Sequence, residues 1–168
     1  HPETDVEKIL ETVGEPGPTM LCVTENSKLL GVITKADLLP FVKSKRQVRE
    51  LANKKIITVS SEDRVIHARR IMVDENIARL PVLKDGKLVG IISDNEIAFA
   101  FANLKSSFPL GRQKHQLEEL LVEDVMKKPV IWTQPSVSAS EAASIMLKNN
   151  LGALPIVENE KLVGIISR

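Results

Sequence analysis

The sequence predicts an α+β protein assembled from small repeated units, and two observations carry the prediction. The segment Leu80-Pro-Val-Leu-Lys-Asp-Gly-Lys-Leu-Val-Gly-Ile-Ile-Ser93 returns as Leu154-Pro-Ile-Val-Glu-Asn-Glu-Lys-Leu-Val-Gly-Ile-Ile-Ser167, an offset of 74 residues. Without a gap, residues 48–94 hold 16 identities at that offset. A weaker match at an offset of 59 sets Leu21-Cys-Val-Thr-Glu-Asn-Ser-Lys-Leu-Leu-Gly-Val-Ile-Thr34 on Leu80 to Ser93. The chain therefore holds three copies of one unit, each of which buries its apolar face only against a neighbour.

Each copy reads in order as strand, helix, strand, hairpin, strand and helix. In the middle copy Ile56-Ile-Thr-Val59 is a short β-rich run, and Val65, Ala68, Ile71 and Met72 follow at helical spacing as one apolar face. Leu80-Pro-Val-Leu83 and Leu88-Val-Gly-Ile-Ile92 are two strands joined at Asp85-Gly86, the strongest hairpin signal in the chain. Pro81 belongs at the start or on the edge of its strand, where a missing N–H costs little. Ser93-Asp-Asn-Glu96 and Thr34-Lys-Ala-Asp37 have the form of a capping box, so a helix starts after each. Phe101 to His115, with Ser106, Ser107, Pro109 and Gly111 among basic residues, reads as a linker.

These boundaries give copy one over 1–44, copy two over 45–100, a linker over 101–115 and copy three over 116–168. Copy one lacks its leading strand and copy three stops before its closing helix, which predicts a longer protein with four units. The shorter, 59-residue spacing favours copies one and two as a pair, with copy three opening a second one.

Composition narrows the function. Lys+Arg number 23 and Asp+Glu 22, a net charge of +1, and this balance argues against nucleic-acid binding and against a polybasic membrane module. Hydrophobic residues at 43% and charged residues at 27% are those of a folded globular chain. With aromatics at 3%, no Tyr and one Trp, the core must be built from Ile, Val, Leu and Ala. One Cys and three His allow neither an intrachain disulfide nor a Cys/His metal cluster, and point to the cytosol. The longest apolar runs are far short of the ~18 residues that span a bilayer.

Cys22 aligns with Pro81 and Pro155 inside a strand, which predicts a buried, inert thiol, whereas His67 sits beside the apolar face and is expected at a solvated or boundary position. There is no Gly-x-x-x-x-Gly-Lys, no Gly-x-Ser-x-Gly and no pair of His at metal spacing, so no catalytic residue and no metal site is expected.

A β-α-β-β-α unit with a Leu-Pro-Val strand, a Lys-Leu-Val-Gly-Ile-Ile strand and a following Thr/Ser-x-x-Asp resembles the cystathionine β-synthase (CBS) domain. The resemblance covers nearly the whole chain, and three gapless copies make it specific. It implies tandem CBS domains paired by their small sheets about pseudo-twofold axes, as Bateman modules. It also implies a regulatory module that takes AMP, ADP, ATP or S-adenosylmethionine as a ligand in clefts between paired units, with no required cofactor. The expected partners are that adenosyl ligand and either a homodimer or a further CBS unit. The alternative is a structural or oligomerisation module with no small-molecule ligand.

The family's nucleotide signature is Gly, an apolar residue, any residue, Ser or Thr, two residues, then Asp. It is complete at Gly31-Val-Ile-Thr34-Lys-Ala-Asp37. A helix N-terminus offers free N–H groups to a phosphate, and a carboxylate accepts ribose hydroxyls. The same pair serves equally as a helix cap. Copy two carries Ser93 and Glu96, one methylene longer than Asp, which puts ribose binding there in question; copy three ends at Ser167-Arg168, before the acidic position. By the resemblance the adenine ring lies against Thr19 and Met20 in copy one, against Ile57, Thr58, Ala78 and Arg79 in copy two, and against Ile131, Trp132, Gly152 and Ala153 in copy three, with Pro81, Pro155 and Ser167 also expected to line the nucleotide sites. Arg79 is either a phosphate ligand through paired hydrogen bonds or a solvated residue at a helix exit. Trp132 either lines a pocket or is a core residue with a wet edge.

Overall fold

The computed structural model describes residues 1–12, 20–107 and 118–168. Copy one contributes α1 (Val6–Thr12), β1 (Met20–Glu25), β2 (Lys28–Thr34) and α2 (Lys35–Leu38), which runs into a 3-10 turn at Leu39–Phe41 carrying Pro40. Copy two contributes α3 (Val48–Leu51), β3 (Val59–Ser60), α4 (Val65–Asp74), β4 (Arg79–Lys84), β5 (Lys87–Ser93) and α5 (Asp94–Ser107). Copy three contributes α6 (Val122–Val125), α7 (Ala139–Lys148), β6 (Ala153–Glu158) and β7 (Lys161–Ser167). This is the α+β architecture expected. No helix among the described residues is long and apolar enough to cross a membrane.

The predicted helix starts are met, with α2 following Thr34 and α5 following Ser93. All three hairpins turn through two residues of positive φ, which suits the right-handed twist of the flanking strands. The pairs are Asn26-Ser27 (48° and 63°), Asp85-Gly86 (51° and 76°) and Asn159-Glu160 (50° and 63°). Three expectations change. The strand expected at Ile56–Val59 shortens to Val59–Ser60, because β3 pairs with β4 only at Val82 and Leu83. Pro81 lies inside β4, the central strand of the β3-β4-β5 sheet, not at an edge. It is tolerated there because β3 does not extend to it, and because its partner Ile91 directs its N–H outward to the Lys127 carbonyl. The linker expected from Phe101 is helical through Ser107, since Phe101 packs on the core and draws α5 onward; the stretch 108–115, like Thr19, lies outside the described residues.

The chain forms two compact units, one of residues 1–52, 136–154 and 166–168, the other of residues 53–135 and 155–165. In the second unit Val65, Ala68 and Met72 of α4 meet Leu80 and Val82 of β4, Ile92 of β5, Ile97 of α5 and Val122 of α6 in one buried core. Arg64 and Leu121 form an antiparallel bridge there. Val65 N–H donates to the Leu120 carbonyl and Val122 N–H to the Asp63 carbonyl, both at 2.8 Å. So copy three's leading arm completes copy two's core.

The first unit contains the reciprocal arrangement. Gln47 bridges Ser138, Val48 N–H donates to the Val137 carbonyl and Ala139 N–H to the Arg46 carbonyl, both at 2.8 Å. Here copy two's arm caps α7, whose buried face is Ala139, Ala142, Ala143 and Met146. Each of these bonds is carried onto its counterpart by the 74-residue offset, and Val48 and Val122 are both 0% exposed. The exchange couples copies two and three, whereas the short spacing had favoured one and two; spacing measures loop length, and backbone bonds of the arms decide the coupling.

Candidate functional site

The candidate residues gather at the open ends of the hairpins, opposite the turns. In copy two, Arg79 stands directly across from Ser93 at the first pair of the β4–β5 ladder. The Glu96 carboxylate reaches back from the first turn of α5 and takes hydrogen bonds from the Ser93 N–H (3.0 Å) and, at very short range, from its hydroxyl. The Asn95 N–H donates to the Ser93 hydroxyl oxygen at 3.3 Å, and the Asp94 N–H to the Ala78 carbonyl at 3.4 Å. Arg69 pairs with Asp94 at 3.7 Å beside them. Arg79, Ser93 and Glu96 are all half-buried, so a cation, a hydroxyl and a carboxylate converge at one partly desolvated strand end. Pro81 is fully buried and Ala78 exposed.

Copy one repeats this geometry without the cation, since Met20 stands opposite Thr34. Asp37 accepts the Thr34 N–H at 2.8 Å and the Thr34 hydroxyl at 2.6 Å through one oxygen, Oδ2. The Thr34 hydroxyl, then its N–H, hold the exposed Asp37 carboxyl below its ordinary pKa. Glu96 makes the same two bonds through Oε2, so its extra methylene is absorbed.

In copy three, Ala153 and Pro155 on β6 are buried and Ser167 on β7 is exposed, while Arg168 N–H donates to the Gly152 carbonyl at 3.3 Å as Asp94 does to Ala78. Trp132 is 48% exposed and Ile131 is exposed, both held by Thr133, which is buried and bonds Pro155 and Val157 through its backbone. Trp132 is therefore a surface aromatic, not a core residue. Ile57 and Thr58, its counterparts in copy two, are half-buried.

By compact unit, Ile57, Thr58, Ala78, Arg79, Pro81, Ser93, Glu96, Ile131, Trp132 and Pro155 fall in one, and Met20, Thr34, Asp37, Ala153 and Ser167 in the other. His67 is exposed as expected. Cys22 is exposed, which corrects the buried thiol: no described residue covers it on the β1–β2 hairpin as Pro81 and Pro155 are covered in the other copies. Sequence reading also missed Ser61, whose buried hydroxyl makes no hydrogen bond among the described residues and whose counterpart in copy three is Pro135.

Comparison with known proteins identifies the family. The model of the CBS domain matches residues 1–44, 48–103 and 122–168, and the chain belongs to the CBS-domain family. Among curated proteins it is 28% identical, over 86% of its length, to the uncharacterised protein MJ1225 of Methanocaldococcus jannaschii, of which it spans 54%. The crystal structure of MJ1225 superposes on 98% of the chain and 62% of MJ1225, with a TM-score of 0.78 and 26% identity. The CBS domain pair of protein MJ0100, solved with 5′-methylthioadenosine and S-adenosylmethionine, gives 0.61 and 28% over 73% of this chain and 89% of that one. CBSX2 in complex with AMP gives 0.60 and 25% over 73% of this chain and 90% of that one.

Proposed function

We propose that this chain is a regulatory sensor of adenosine-containing ligands, and that its principal site is the hairpin end of copy two. The observation that carries the reading is Arg79 directly opposite Ser93, with the Glu96 carboxylate fixed on Ser93. In this reading the Arg79 guanidinium and the Ser93 hydroxyl receive a phosphate, and the second oxygen of Glu96 accepts the ribose hydroxyls. Ile57, Thr58, Ile131 and Trp132 offer apolar and aromatic surface for the adenine ring. Thr34 and Asp37 form the equivalent site in copy one, where Met20 takes the place of Arg79, and Ala153 and Ser167 the reduced one in copy three. The ligand is a signal, not a catalytic cofactor, and the chain performs no chemistry on it. Cys22 as a free, exposed thiol fits a reducing, cytoplasmic setting. The adenosyl ligands of MJ0100 and the AMP of CBSX2 support the ligand class.

Calorimetric titration with AMP, ADP, ATP, NADH and S-adenosylmethionine tests the reading. Binding is expected below millimolar for at least one. Arg79→Ala should weaken the phosphate-bearing ligands about tenfold, the worth of one charge-assisted hydrogen bond, and leave S-adenosylmethionine unchanged. Absence of heat from all five at millimolar concentration overturns it. The rival reading, a structural module, is favoured by the capping bonds of Asp37 and Glu96. It predicts that Asp37→Ala and Glu96→Ala lower the melting temperature and affect no ligand.

A further inference from the structure

The arms that lead copies two and three are alike in backbone and opposite in charge. Each runs into a four-residue helix opened by a fully buried valine, Val48 in α3 and Val122 in α6. The Arg46 carbonyl takes the Ala139 N–H just as the Leu120 carbonyl takes the Val65 N–H, both at 2.8 Å. The side chains diverge. Residues 43–55 hold six Lys and Arg and one Glu, whereas their counterparts 117–129 hold two Lys and four Asp and Glu. Lys45 answers to Glu119, Arg46 to Leu120 and Arg49 to Glu123. The chain's 23 Lys and Arg balance its 22 Asp and Glu only because six of the former are concentrated here; elsewhere carboxylates outnumber cations by four.

The acidic arm is neutralised within its own compact unit, where Glu119 pairs with Arg64 at 3.1 Å and Glu123 with Lys84 at 3.6 Å. The basic arm is not. The counterpart of Arg64 is Ser138, which offers Lys45 no charge. Among the described residues Arg46 pairs with Glu50 at 3.2 Å, while Lys43, Lys45 and Arg49 are exposed and make no ion pair. Exposed apolar side chains flank these cations, Phe41 at 50% and Leu51 at 40% exposure, and all six residues belong to the first compact unit.

We propose that this surface, from Phe41 to Leu51, is the docking site for a short acidic segment of a partner protein that carries apolar side chains among its carboxylates. Lys43, Lys45, Arg46 and Arg49 hold the carboxylates, and Phe41 and Leu51 take the apolar side chains, a mixture of cation and aromatic that protein interfaces favour. A short segment suits this surface better than a nucleic acid or a lipid leaflet, since both extend past it onto a remainder in which carboxylates outnumber cations. One exposed Phe also falls short of the successive base stacking that holds single strands. The surface shares no residue with the adenosyl site.

Fluorescence anisotropy at low salt tests this with a labelled peptide of roughly twelve residues, Glu and Asp with two Phe. The other probes are the same peptide with Ser in place of Phe, a single-stranded oligonucleotide of matching charge, and vesicles of phosphatidylserine and phosphatidylcholine. The Phe-bearing peptide is expected to bind the chain at least about tenfold more tightly than each of these, and to weaken as salt is raised. Lys45→Glu with Arg49→Glu installs what the acidic arm carries at the same places, and should reduce binding at least about tenfold at unchanged melting temperature. Lys45→Gln with Arg49→Gln reads the loss of affinity without charge reversal, should the first pair lower the melting temperature. Phe41→Ala should weaken the Phe-bearing peptide and leave the Ser peptide unaffected. Affinity for the oligonucleotide or the vesicles equal to or above that for the peptide overturns the proposal and gives the surface to nucleic acid or to a membrane. So do equal affinities for the two peptides, unchanged binding in both charge variants, or no binding of the Phe-bearing peptide at all.

Discussion

Asp37 shows how one residue serves two demands. Its Oδ2 closes the turn by accepting the Thr34 N–H and hydroxyl, and both bonds favour the ionised form. Because the folded pKa lies below the ordinary value of 3.8, this carboxylate contributes stability that is present above 3.8 and is lost as pH falls through the lower folded value. NMR titration should find Asp37 ionising below 3.8, and Thr34→Val, which removes the hydroxyl that does most to lower it, should move it back up. The capping pattern that made this legible is local, confined to four consecutive residues. Exposure of Cys22 was not legible, because alignment with two prolines states only which face of the strand it occupies and not whether that face is covered.

At the scale of the element, the hairpins were the most readable part of the fold, since strand and turn are specified within fourteen consecutive residues that recur in every copy. Their environments were not readable, and the glycines expose the difference. Gly31 and Gly90 hold the same place on β2 and β5, so sequence assigns them one role. Gly90→Ala drives a methyl group into Met126 and toward the Lys127 backbone, which should destabilise by about 1–3 kcal/mol. Gly31→Ala meets empty space and should be neutral or stabilise by about 0.4–1 kcal/mol through the unfolded chain. Denaturant melts of the two variants check this, and equal destabilisation would mean that Met126 does not sit over Gly90. The short β3 has a similar origin, because its parallel ladder with β4 begins only at Val82, just past Pro81, which has no N–H to offer a neighbour.

For the whole molecule, the repeats revealed three units but not which arm completes which core, because copies two and three carry near-equivalent residues at every bonding position. An arm that could cap its own helix or its neighbour's looks the same in sequence. The backbone bonds decide it, with Val122 buried among Val59, Val65, Ala68 and Met72 of copy two. The test is a substitution whose damage appears in the wrong repeat. Val122→Ala removes two methyl groups from a site with no exposure and should cost about 2 kcal/mol. If arms are exchanged, hydrogen exchange should accelerate in α4 and β5, and α7, of the same copy as the substitution, should change far less. Val48→Ala should do the reverse, loosening α7 while α4 keeps its protection, because Val48 bonds Val137 at the start of α7. Damage confined to the substituted copy in either variant would exclude the exchange. The same logic bears on the proposed function, since a ligand bound as proposed at the Arg79–Ser93 end of copy two would act on a core that copy three completes, and would stabilise the docked arm of copy three to the extent that it binds the docked state more tightly than the undocked one.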